Sequence, residues 1–248
     1  MLGAIAHSIE AHTLWLYPDG TAYWAEGNSL FIADVHLGKS GHFRAFGIGN
    51  SLFIADVHLG KSGHFRAFGI PTPKGIHTHA MRLLRNAFAR HDAAQIIFLG
   101  DLFHNLQNTE TRDLLELMQE FAEHSFVLVK GNHDVDVPEH SSLKVVDQLA
   151  VGPYLCLHEP PGSNFDQNIP FDLDHIQSRH SNSFLLCGHL HPGATLRGKG
   201  RGRIKMKAFF FNDHLGVLPA FGPFTGAHAL QVEGQYYGIA EGRILPLF

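Results

Sequence analysis

One stretch of 22 residues occurs twice in direct succession. The sequence GNSLFIADVHLGKSGHFRAFGI fills residues 27–48 and returns unchanged as residues 49–70. Solenoid proteins need at least three units to bury a continuous core, and their units diverge in sequence. Two identical copies of a short segment therefore indicate a tandem duplication inside one fold. No linker-like Ser-, Pro- or charge-rich segment divides the chain, so we expect a single domain over residues 1–248.

Each copy contains a pattern typical of a metal-binding strand. The apolar run Leu-Phe-Ile-Ala predicts a buried strand, and Asp-Val-His follows where that strand would end. Side chains two positions apart on a strand project to the same side. The pair Asp34 and His36, or the pair Asp56 and His58, could therefore hold one cation. Only one of the two pairs can serve the first strand of a single site.

The composition fits an ordinary globular protein. The chain is 44% hydrophobic and 17% charged, with a formal net charge of -4, so the chain as a whole does not attract nucleic acid. Its start lacks a basic region followed by a long apolar stretch, and no apolar run approaches the roughly 20 residues of a membrane span. We therefore expect a cytoplasmic protein. Cys156 and Cys187 lie in apolar segments, which predicts buried free thiols and not a disulfide.

The order of the predicted elements indicates an α/β fold. Pro18-Asp19-Gly20 separates two β-rich arms and predicts a hairpin. The strand-like runs QIIFLGD and FVLVKGNHD alternate with two helical patterns, one of which has Met81, Leu84 and Phe88 at helical spacing. From about residue 142 the pattern changes to short strands and turns. We therefore predict two packed mixed β-sheets flanked by helices, the second sheet being largely antiparallel.

Five polar clusters follow apolar strands, at the strand ends where open α/β sheets bind their ligands. They are Asp-Val-His in either copy, Gly-Asp-Leu-Phe-His at 100–104, Gly-Asn-His-Asp at 131–134, His-Glu at 158–159 and Gly-His-Leu-His-Pro at 188–192. They supply carboxylate, amide and imidazole groups but no thiolate, which suits Mn²⁺, Fe or Zn²⁺. One ion cannot use so many ligands. The pattern therefore predicts two divalent metal ions whose bridging water attacks a phosphoester.

The ordered motifs resemble the calcineurin-like metallophosphoesterases. That family carries D-x-H, GD-x-x-(D/H), GNH(D/E), a lone His and GH-x-H in this order, and the match extends over nearly the whole chain. The resemblance implies seven metal ligands: Asp56, His58 and His191 for one ion, Asp101 as the bridge, and Asn132, His158 and His189 for the other ion. It also implies three catalytic residues: His133, which would contact the scissile phosphate or protonate the leaving oxygen, Asp134, which would tune the pKa and orientation of His133, and His104.

Details within these motifs favour a nuclease branch of the family. Protein Ser/Thr phosphatases carry GD-x-V-D-R-G, whereas this chain has GDLFHN, with His104 at the Asp position. The segments ADVHLGK, FRAFGIPTP, LGDLFHN, VKGNHD, HEP, GHLHPG and LPAFGPFTG are similar to those of the bacterial ligase-associated DNA damage response endonucleases, the PdeM family. This resemblance implies Mn²⁺-dependent hydrolysis of phosphodiesters and phosphomonoesters in DNA. The implied partners are DNA itself and a DNA ligase, a helicase and an exonuclease of DNA repair.

The same resemblance favours the second copy of the repeat as the source of the first motif. In that copy the sequence DVHLGK stays contiguous with the loop FRAFGIPTP. We therefore expect Asp56 and His58, and not Asp34 and His36, to bind metal. The spare copy would then be an exposed apolar strand.

A basic stretch follows the last motif. Alternate positions carry Arg197, Lys199, Arg201, Arg203, Lys205 and Lys207. One face of a strand or hairpin would thus present a row of cations next to the metal site. We take Arg201 and Arg203, with Arg66 in the loop after the first motif, as candidate substrate-binding residues. A solvated edge strand protected by basic residues is the alternative. Phe209 and its two neighbours could stack on bases, but core packing is favoured for them.

Two other functions would use the same site residues. A small-molecule phosphatase or a cyclic-nucleotide phosphodiesterase would share the metal site, and the basic stretch is the sequence feature that argues against it. A phosphoesterase-fold scaffold, disabled by the duplication, would bind partners without turnover. The complete set of predicted ligands argues against this last alternative.

Overall fold

The structure is a computed structural model of the chain. It describes residues 3–35, 44–48, 51–55, 76–103, 109–135, 137, 140–163, 171–172, 176, 183–197, 203–221 and 225–247. Within these ranges the chain forms eighteen strands and two helices. In chain order they are β1 (Ile5–Ile9), β2 (His12–Leu16), β3 (Ala22–Trp24), β4 (Ser29–Ala33), β5 (Arg44–Ile48), β6 (Ser51–Ala55), α1 (Ile76–Arg90), β7 (Gln95–Leu99), α2 (Thr109–Glu120), β8 (Ser125–Val129), β9 (Leu143–Val146), β10 (Leu149–Val151), β11 (Tyr154–Cys156), β12 (Phe184–Cys187), β13 (Pro192–Arg197), β14 (Arg203–Phe211), β15 (Leu215–Val217), β16 (His228–Ala229), β17 (Gln235–Ala240) and β18 (Arg243–Leu247).

The first sheet has the strand order β1-β2-β3-β4-β7-β8-β9. Strands β1 to β4 form an antiparallel meander, and the predicted hairpin joins β2 to β3. In its turn the amide of Tyr17 donates to the carbonyl oxygen of Thr21, and the amide of Gly20 donates to that of Tyr17, both across 2.9 Å. From β4 onward the strands are parallel. The carboxyl ends of β4, β7 and β8 therefore lie at one edge of the sheet.

The first copy of the repeat, in contrast to our prediction, supplies the core strand. Strand β4 comes from that copy, is buried at every position and pairs with β3 and β7. The same five residues of the second copy form β6, which pairs antiparallel with β5 in a separate two-stranded sheet. The register Ile48↔Ser51 leaves two residues between β5 and β6, a connection length typical of β-hairpins.

The physical reason for this choice is local to the turn between β3 and β4. Trp24 pairs with Ser29, so only four residues separate the two strands. Within that turn the hydroxyl of Tyr23 donates to Oδ1 of Asn28 across 2.7 Å, and Nδ2 of Asn28 donates to the carbonyl oxygen of Asp92 across 2.8 Å. A core strand from the second copy would give up this direct hairpin, whereas the first copy keeps it.

The second sheet has the path β10-β11-β12-β15-β14-β13-β16, and β17 pairs with β14 and β18. Parallel pairs join β11 to β12, β12 to β15 and β13 to β16, and the other pairs are antiparallel. The predicted pair of mixed sheets, the second of them largely antiparallel, is thereby confirmed.

The main core lies between the two sheets. Phe31 and Ile97 of the first sheet are in one buried cluster with Leu186, Phe209 and Phe211 of the second sheet. Phe209 and Phe211 are therefore core residues, as the sequence favoured, and burying such rings is a large apolar contribution to stability. A second cluster joins the outer face of the first sheet to the two helices.

The helices cover that outer face with the apolar positions that the sequence predicted. Leu84 and Phe88 of α1 are fully buried, and Met81 is partly buried against the same cluster. In the part of the chain that the structure describes, neither helix is both long enough and apolar enough to cross a membrane. The thiols of Cys156 and Cys187 are free and buried, which confirms the expectation from their apolar surroundings.

Candidate metal centre

Side chains from both sheets converge where their strands end. Asp34 follows β4, Asp101 follows β7, and His158 and His189 follow β11 and β12. Parallel strands end at the same edge, so four residues that are distant in sequence become neighbours. The two sheets meet directly here, because the amide of His189 donates to Oδ2 of Asp34 across 2.7 Å.

Three of these side chains form a compact cluster with metal-ligand chemistry. Asp101, His158 and His189 each offer one ligand atom, and the three atoms lie within 4.8 Å of one another. Nε2 of His158 lies 3.5 Å from Oδ1 of Asp101 and 3.0 Å from Nδ1 of His189. With metal bonds of about 2.1 Å, ligand atoms at neighbouring positions around one ion lie about 3 Å apart. The cluster therefore has the spacing of a metal site.

The hydrogen bonds of the two histidines direct their lone pairs into this cluster. Nδ1 of His158 lies 3.1 Å from the carbonyl oxygen of Leu99, which can only accept, so this nitrogen donates. Nε2 of His189 lies 3.3 Å from Oε2 of Glu159, an ion-pair distance that favours a hydrogen on this ring nitrogen. Nε2 of His158 and Nδ1 of His189 lie 3.0 Å apart, a hydrogen-bond distance that needs one hydrogen between the two nitrogens. A bound cation would take the place of that hydrogen, and the contacts with Leu99 and Glu159 orient the two rings toward it.

A second group of ligands surrounds Asp34. Its carboxylate is fully buried, with Oδ2 at 3.7 Å from Nε2 of His191 and Oδ1 at 3.7 Å from Nδ1 of His158. Oδ1 is buried without a hydrogen-bond partner among the described residues. A buried carboxylate oxygen left in this state is costly unless something else satisfies it. The orphaned oxygen fits a metal ligand, and its oxygen and nitrogen neighbours fit a divalent ion.

The backbone at these ligands is in an unusual conformation. The φ angles of Asp34 and Asp101 are both 49°, that of His189 is 64° and that of His191 is 44°. Non-glycine residues rarely adopt left-handed φ values, and such strain is concentrated at functional sites where the surrounding structure enforces it. The four side chains are thus aimed by the backbone as well as by hydrogen bonds.

Two motif glycines make room for ligands on neighbouring strands. Gly100 has a φ of 79°, and a Cβ there would lie 2.0 Å from Nδ1 of His158. A Cβ on Gly188 would lie 2.6 Å from Oδ2 of Asp34. Larger residues at either position would displace a candidate ligand, which explains why glycine precedes the polar residue in both motifs.

Burial and neighbouring charges shift the pKa values of Asp34, His158 and His189 in different directions. Burial alone would raise the pKa of Asp34, but His191, His158 and the amide of His189 outweigh it, so the pKa lies below its ordinary value. Burial likewise opposes protonation of His158, but the carboxylates of Asp34 and Asp101 outweigh it and raise the pKa. Burial and the neighbouring His158 lower the pKa of His189. An ionised Asp34 and a neutral His189 are the forms that bind metal.

The turn after β8 places the candidate acid at the mouth of the centre. The amide of His133 donates to Oδ1 of Asp101 across 3.0 Å, and its half-exposed ring has Nε2 3.9 Å from Oδ2 of Asp101. Asn132 is exposed on the same turn. Asp134 is buried, and its two oxygens accept the amides of Phe103 and Gly131 across 2.8 and 2.9 Å. Asp134 therefore holds the turn in place, while its tuning of the His133 pKa stays a prediction.

Several predicted residues lie outside the described ranges. They are Asp56, His58, Arg66, His104 and Arg201. For the first motif the structure places Asp34 in the centre where the sequence favoured Asp56, because β4 and not β6 is the core strand.

The basic stretch divides into an exposed part and an inward part. Arg203 and Lys205 are exposed on β14. Lys207, on the same face, instead donates through Nζ to the carbonyl oxygen of Ala220 across 2.8 Å and to the hydroxyl of Thr225. Burial lowers the pKa of Lys207 to about 7, although nearby Asp34 opposes the shift. The predicted row of surface cations therefore ends before Lys207.

Sequence reasoning missed two contributors to the site. Glu159 was visible next to His158, but its contact with His189 depends on how β11 and β12 pair. The alternation of basic residues predicts that Lys207 belongs to the row of surface cations, and nothing in the sequence indicates that its ammonium group is directed inward.

Comparison with solved structures shows which of them this fold is similar to. The structure is similar to that of Pseudomonas putida nuclease MPE, with a TM-score of 0.70 and 24% identity over 98% of this chain and 100% of that chain. Vps29 from Entamoeba histolytica, a single mutant, gives a TM-score of 0.33 at 16% identity over 88% of this chain and 96% of that chain. Vacuolar Protein Sorting 29 from Cryptosporidium parvum gives 0.33 at 15% identity over 88% and 94%. Among curated proteins no sequence matches significantly.

The family itself is shown by the sequence match. The model of the calcineurin-like phosphoesterase superfamily domain matches residues 51–202, which is more than half of the chain. That match begins in the second copy of the repeat, because the two copies are identical and the second is contiguous with the later motifs. In the structure the first copy occupies the corresponding strand. With the strand-end carboxylates and imidazoles gathered in one centre, the chain belongs to the calcineurin-like phosphoesterase superfamily.

Proposed function

We propose that this metallophosphoesterase is a DNA endonuclease that hydrolyses phosphodiester bonds with two divalent metal ions, Mn²⁺ being the preferred metal and Fe or Zn²⁺ the alternatives. The observation that carries the proposal is the convergence of Asp34, Asp101, His158 and His189 from both sheets on one centre, with an orphaned oxygen on Asp34. Such a set of hard oxygen and borderline imidazole donors suits these metals.

The ligands divide into two groups around Asp101. Asp34 and His191 would hold one ion, Asp101 would bridge, and Asn132, His158 and His189 would hold the other. When bound, the ions would polarise a phosphoryl oxygen and lower the pKa of a water molecule. Leu99 and Glu159 keep the two imidazoles in the orientation and tautomer that metal binding requires.

His133 is the residue of the chain best placed to act on the leaving group. Its amide is anchored on Asp101, while its ring is 51% exposed at the mouth of the centre. An imidazole in its protonated form can donate a proton to an alkoxide leaving group. Asp134 supports this role by holding the turn through the amides of Phe103 and Gly131. His104 is retained in the proposal as a third catalytic residue on the strength of the family motif.

A nucleic acid substrate is supported by two observations. The structurally similar protein from Pseudomonas putida is a nuclease by name. Arg203 and Lys205 are exposed on one face of β14, and side chains two apart on a strand are about 6.6 Å apart. Because the chain has a net charge of -4, attraction for a polyanion must come from local groups of this kind. Arg201 and Arg66 belong to the same proposed contact surface.

The biological setting is also part of the proposal. The resemblance to the PdeM family supports action in DNA repair in the cytoplasm, next to a DNA ligase, a helicase and an exonuclease. A test is co-purification of the full-length chain with each of these enzymes under conditions that remove DNA.

The activity is tested by hydrolysis of two substrates with metal-stripped protein. Bis-p-nitrophenyl phosphate and a DNA duplex are incubated with and without added Mn²⁺, with His133→Ala as the control. We expect Mn²⁺-dependent cleavage of both substrates, with loss in the control. Cleavage of the small ester alone would support a small-molecule phosphatase instead. Cleavage of neither substrate would support a scaffold.

A further inference from the structure

A short segment after β15 connects the two ligand-bearing strand ends. The amide of Leu218 donates to the carbonyl oxygen of Cys187 across 2.8 Å, and the amide of Phe221 donates to that of Ala33 across 2.9 Å. Cys187 ends β12 two residues before His189, and Ala33 ends β4 directly before Asp34. The segment Leu218–Phe221 therefore joins the second sheet to the first at the metal centre.

This segment is buried along its length. Leu218, Ala220 and Phe221 are 0%, 2% and 1% exposed. In the sequence it begins LPAFGPFTG, which the metal ligands do not account for. Its hydrogen bonds, one to β12 within the second sheet and one to β4 of the first sheet, lie next to the bond from the amide of His189 to Asp34. A shift of the segment would thus move the two ligands relative to each other.

Lys207 holds the segment from a third strand. Its ammonium group donates to the carbonyl oxygen of Ala220 inside the segment and to the hydroxyl of Thr225 beyond it. Lys207 itself pairs with Gly193 on β13, which begins directly after His191. Lys207 therefore connects the strand that follows His191, through its backbone, to the segment that spans from β12 to β4, through its side chain. When the amine of Lys207 is protonated, these are charged hydrogen bonds, which are stronger than neutral ones.

We infer that Lys207 is a positioning residue of the metal centre: it holds segment Leu218–Phe221 between β4 and β12 so that Asp34, His189 and His191 keep the relative positions that metal binding requires. The inference rests on the proposed metal centre for its functional consequence. Its structural part, that Lys207 fixes the position of segment Leu218–Phe221, does not depend on bound metal. Outer residues that orient metal ligands commonly change metal affinity about tenfold to hundredfold when removed.

The test compares Lys207→Met with Lys205→Met in the full-length chain. Lys205 is the matched control, because it is a lysine on the same face of β14 but exposed. Amide hydrogen exchange of the metal-free proteins reports the hydrogen bonds of Phe221 and His189 directly. Equilibrium dialysis with Mn²⁺ alone reports metal affinity.

We expect Lys207→Met to accelerate exchange at the amides of Phe221 and His189 while β7 and β8 stay protected, and to weaken Mn²⁺ binding about tenfold or more. Lys205→Met should change neither. Unchanged exchange at both amides in Lys207→Met, with Mn²⁺ affinity equal to that of the parent protein, would overturn the inference. If the parent protein binds no Mn²⁺ but the exchange result holds, the proposed function fails and the positioning role stands.

A second variant covers the case in which Lys207→Met unfolds. Thr225→Val removes one acceptor of the ammonium group and conserves side-chain shape. It should accelerate exchange at the amide of Phe221 in the same direction, by a smaller factor, with β7 unaffected. Full protection of that amide in Thr225→Val, with unfolded Lys207→Met, would reduce Lys207 to a residue of general stability and overturn the positioning role.

Discussion

The amide of His189 donates a hydrogen bond of 2.7 Å to Oδ2 of Asp34, across 155 positions of sequence and between two different sheets. Both residues are candidate metal ligands, so this bond makes the packing of the sheets part of the site itself. The other oxygen of Asp34 is left without a partner in the described residues. One atom of the carboxylate is thus structural, and the other is available to a metal ion.

This arrangement predicts that the two copies of the repeat are not equivalent in function. Asp34→Asn should abolish Mn²⁺-dependent hydrolysis of bis-p-nitrophenyl phosphate, because Asp34 is buried among His158, His189 and His191. Asp56→Asn should leave the rate within about twofold of the parent. Thermal unfolding of both variants controls for loss of fold. If activity survives Asp34→Asn and disappears in Asp56→Asn, the second copy of the repeat, and not the first, supplies the metal ligand of the first motif.

His133 should matter for turnover and not for metal binding. Its ring is half exposed, with Nε2 3.9 Å from Oδ2 of Asp101, and its backbone amide donates to Oδ1 of Asp101. His133→Gln keeps that amide, so we expect Mn²⁺ affinity close to that of the parent and a fall in kcat of about 10² to 10⁴, the usual contribution of a general acid. Steady-state kinetics and equilibrium dialysis provide the two measurements. A loss of Mn²⁺ affinity with kcat preserved would instead make His133 a ligand.

The exposed residues of the basic stretch should contribute to DNA binding and not to hydrolysis of the small ester. Replacing both Arg203 and Lys205 by Gln should raise the KM for a DNA duplex and reduce the dependence of log affinity on log salt by about one for each phosphate that these two side chains neutralise. Hydrolysis of the small ester should not change. Lys144→Gln is the control, because Lys144 is exposed on β9 in the other sheet. If Lys144→Gln changes the KM for DNA equally, the net charge of the protein, and not the position of the basic residues on β14, determines DNA binding.

Folding stability should depend on pH through His7. Nδ1 of His7 lies 2.9 Å from the hydroxyl of Tyr237 and its ring stacks on Phe211. Burial lowers the pKa of His7 from 6.5 to about 4. The unfolded chain therefore binds a proton before the folded chain does, and this contribution to stability is present above pH 6.5 and is lost as the pH falls toward 4.

The measurement is urea unfolding of His7→Phe and the parent protein between pH 7 and pH 4. In the variant, the unfolding free energy should fall less over this range, by about 1 to 2 kcal/mol once the partial exposure of the ring is allowed for. Tyr237→Phe keeps the imidazole and should keep the pH dependence. Parallel curves for His7→Phe and the parent would exclude the role of His7.

The features that followed from sequence are those set by short stretches of chain. The hairpin at Pro18-Asp19-Gly20 formed as predicted, because its turn residues and the flanking β-rich arms act locally. Leu84 and Phe88 are buried on α1 for the same reason, since helical spacing alone puts them on one face. The apolar runs also predicted that polar clusters would follow buried strands, as Asp101 does after β7.

The sequence of the repeat itself does not determine which of its two copies forms the core strand. The copies are identical, so every local preference of β4 belongs equally to β6. The first copy occupies the sheet because Asn28 closes the hairpin from β3 and bonds to Asp92, 64 positions away. The resemblance to the family predicts the opposite choice, because the second copy is the one that is contiguous with the later motifs.

The sequence by itself determined the family, the kinds of ligand and their order along the chain, because each motif is a short run of residues at the end of an apolar strand. Tertiary structure alone decided that Asp34 enters the centre, which nitrogen of His158 and His189 carries its lone pair inward, and that Lys207 is directed to Ala220. The contact of His158 with Leu99 joins the two sheets, whereas those of His189 with Glu159 and of Lys207 with Ala220 join neighbouring parts of the second sheet. These partners are set by how the strands pair and how the sheets pack, which no spacing within the chain records.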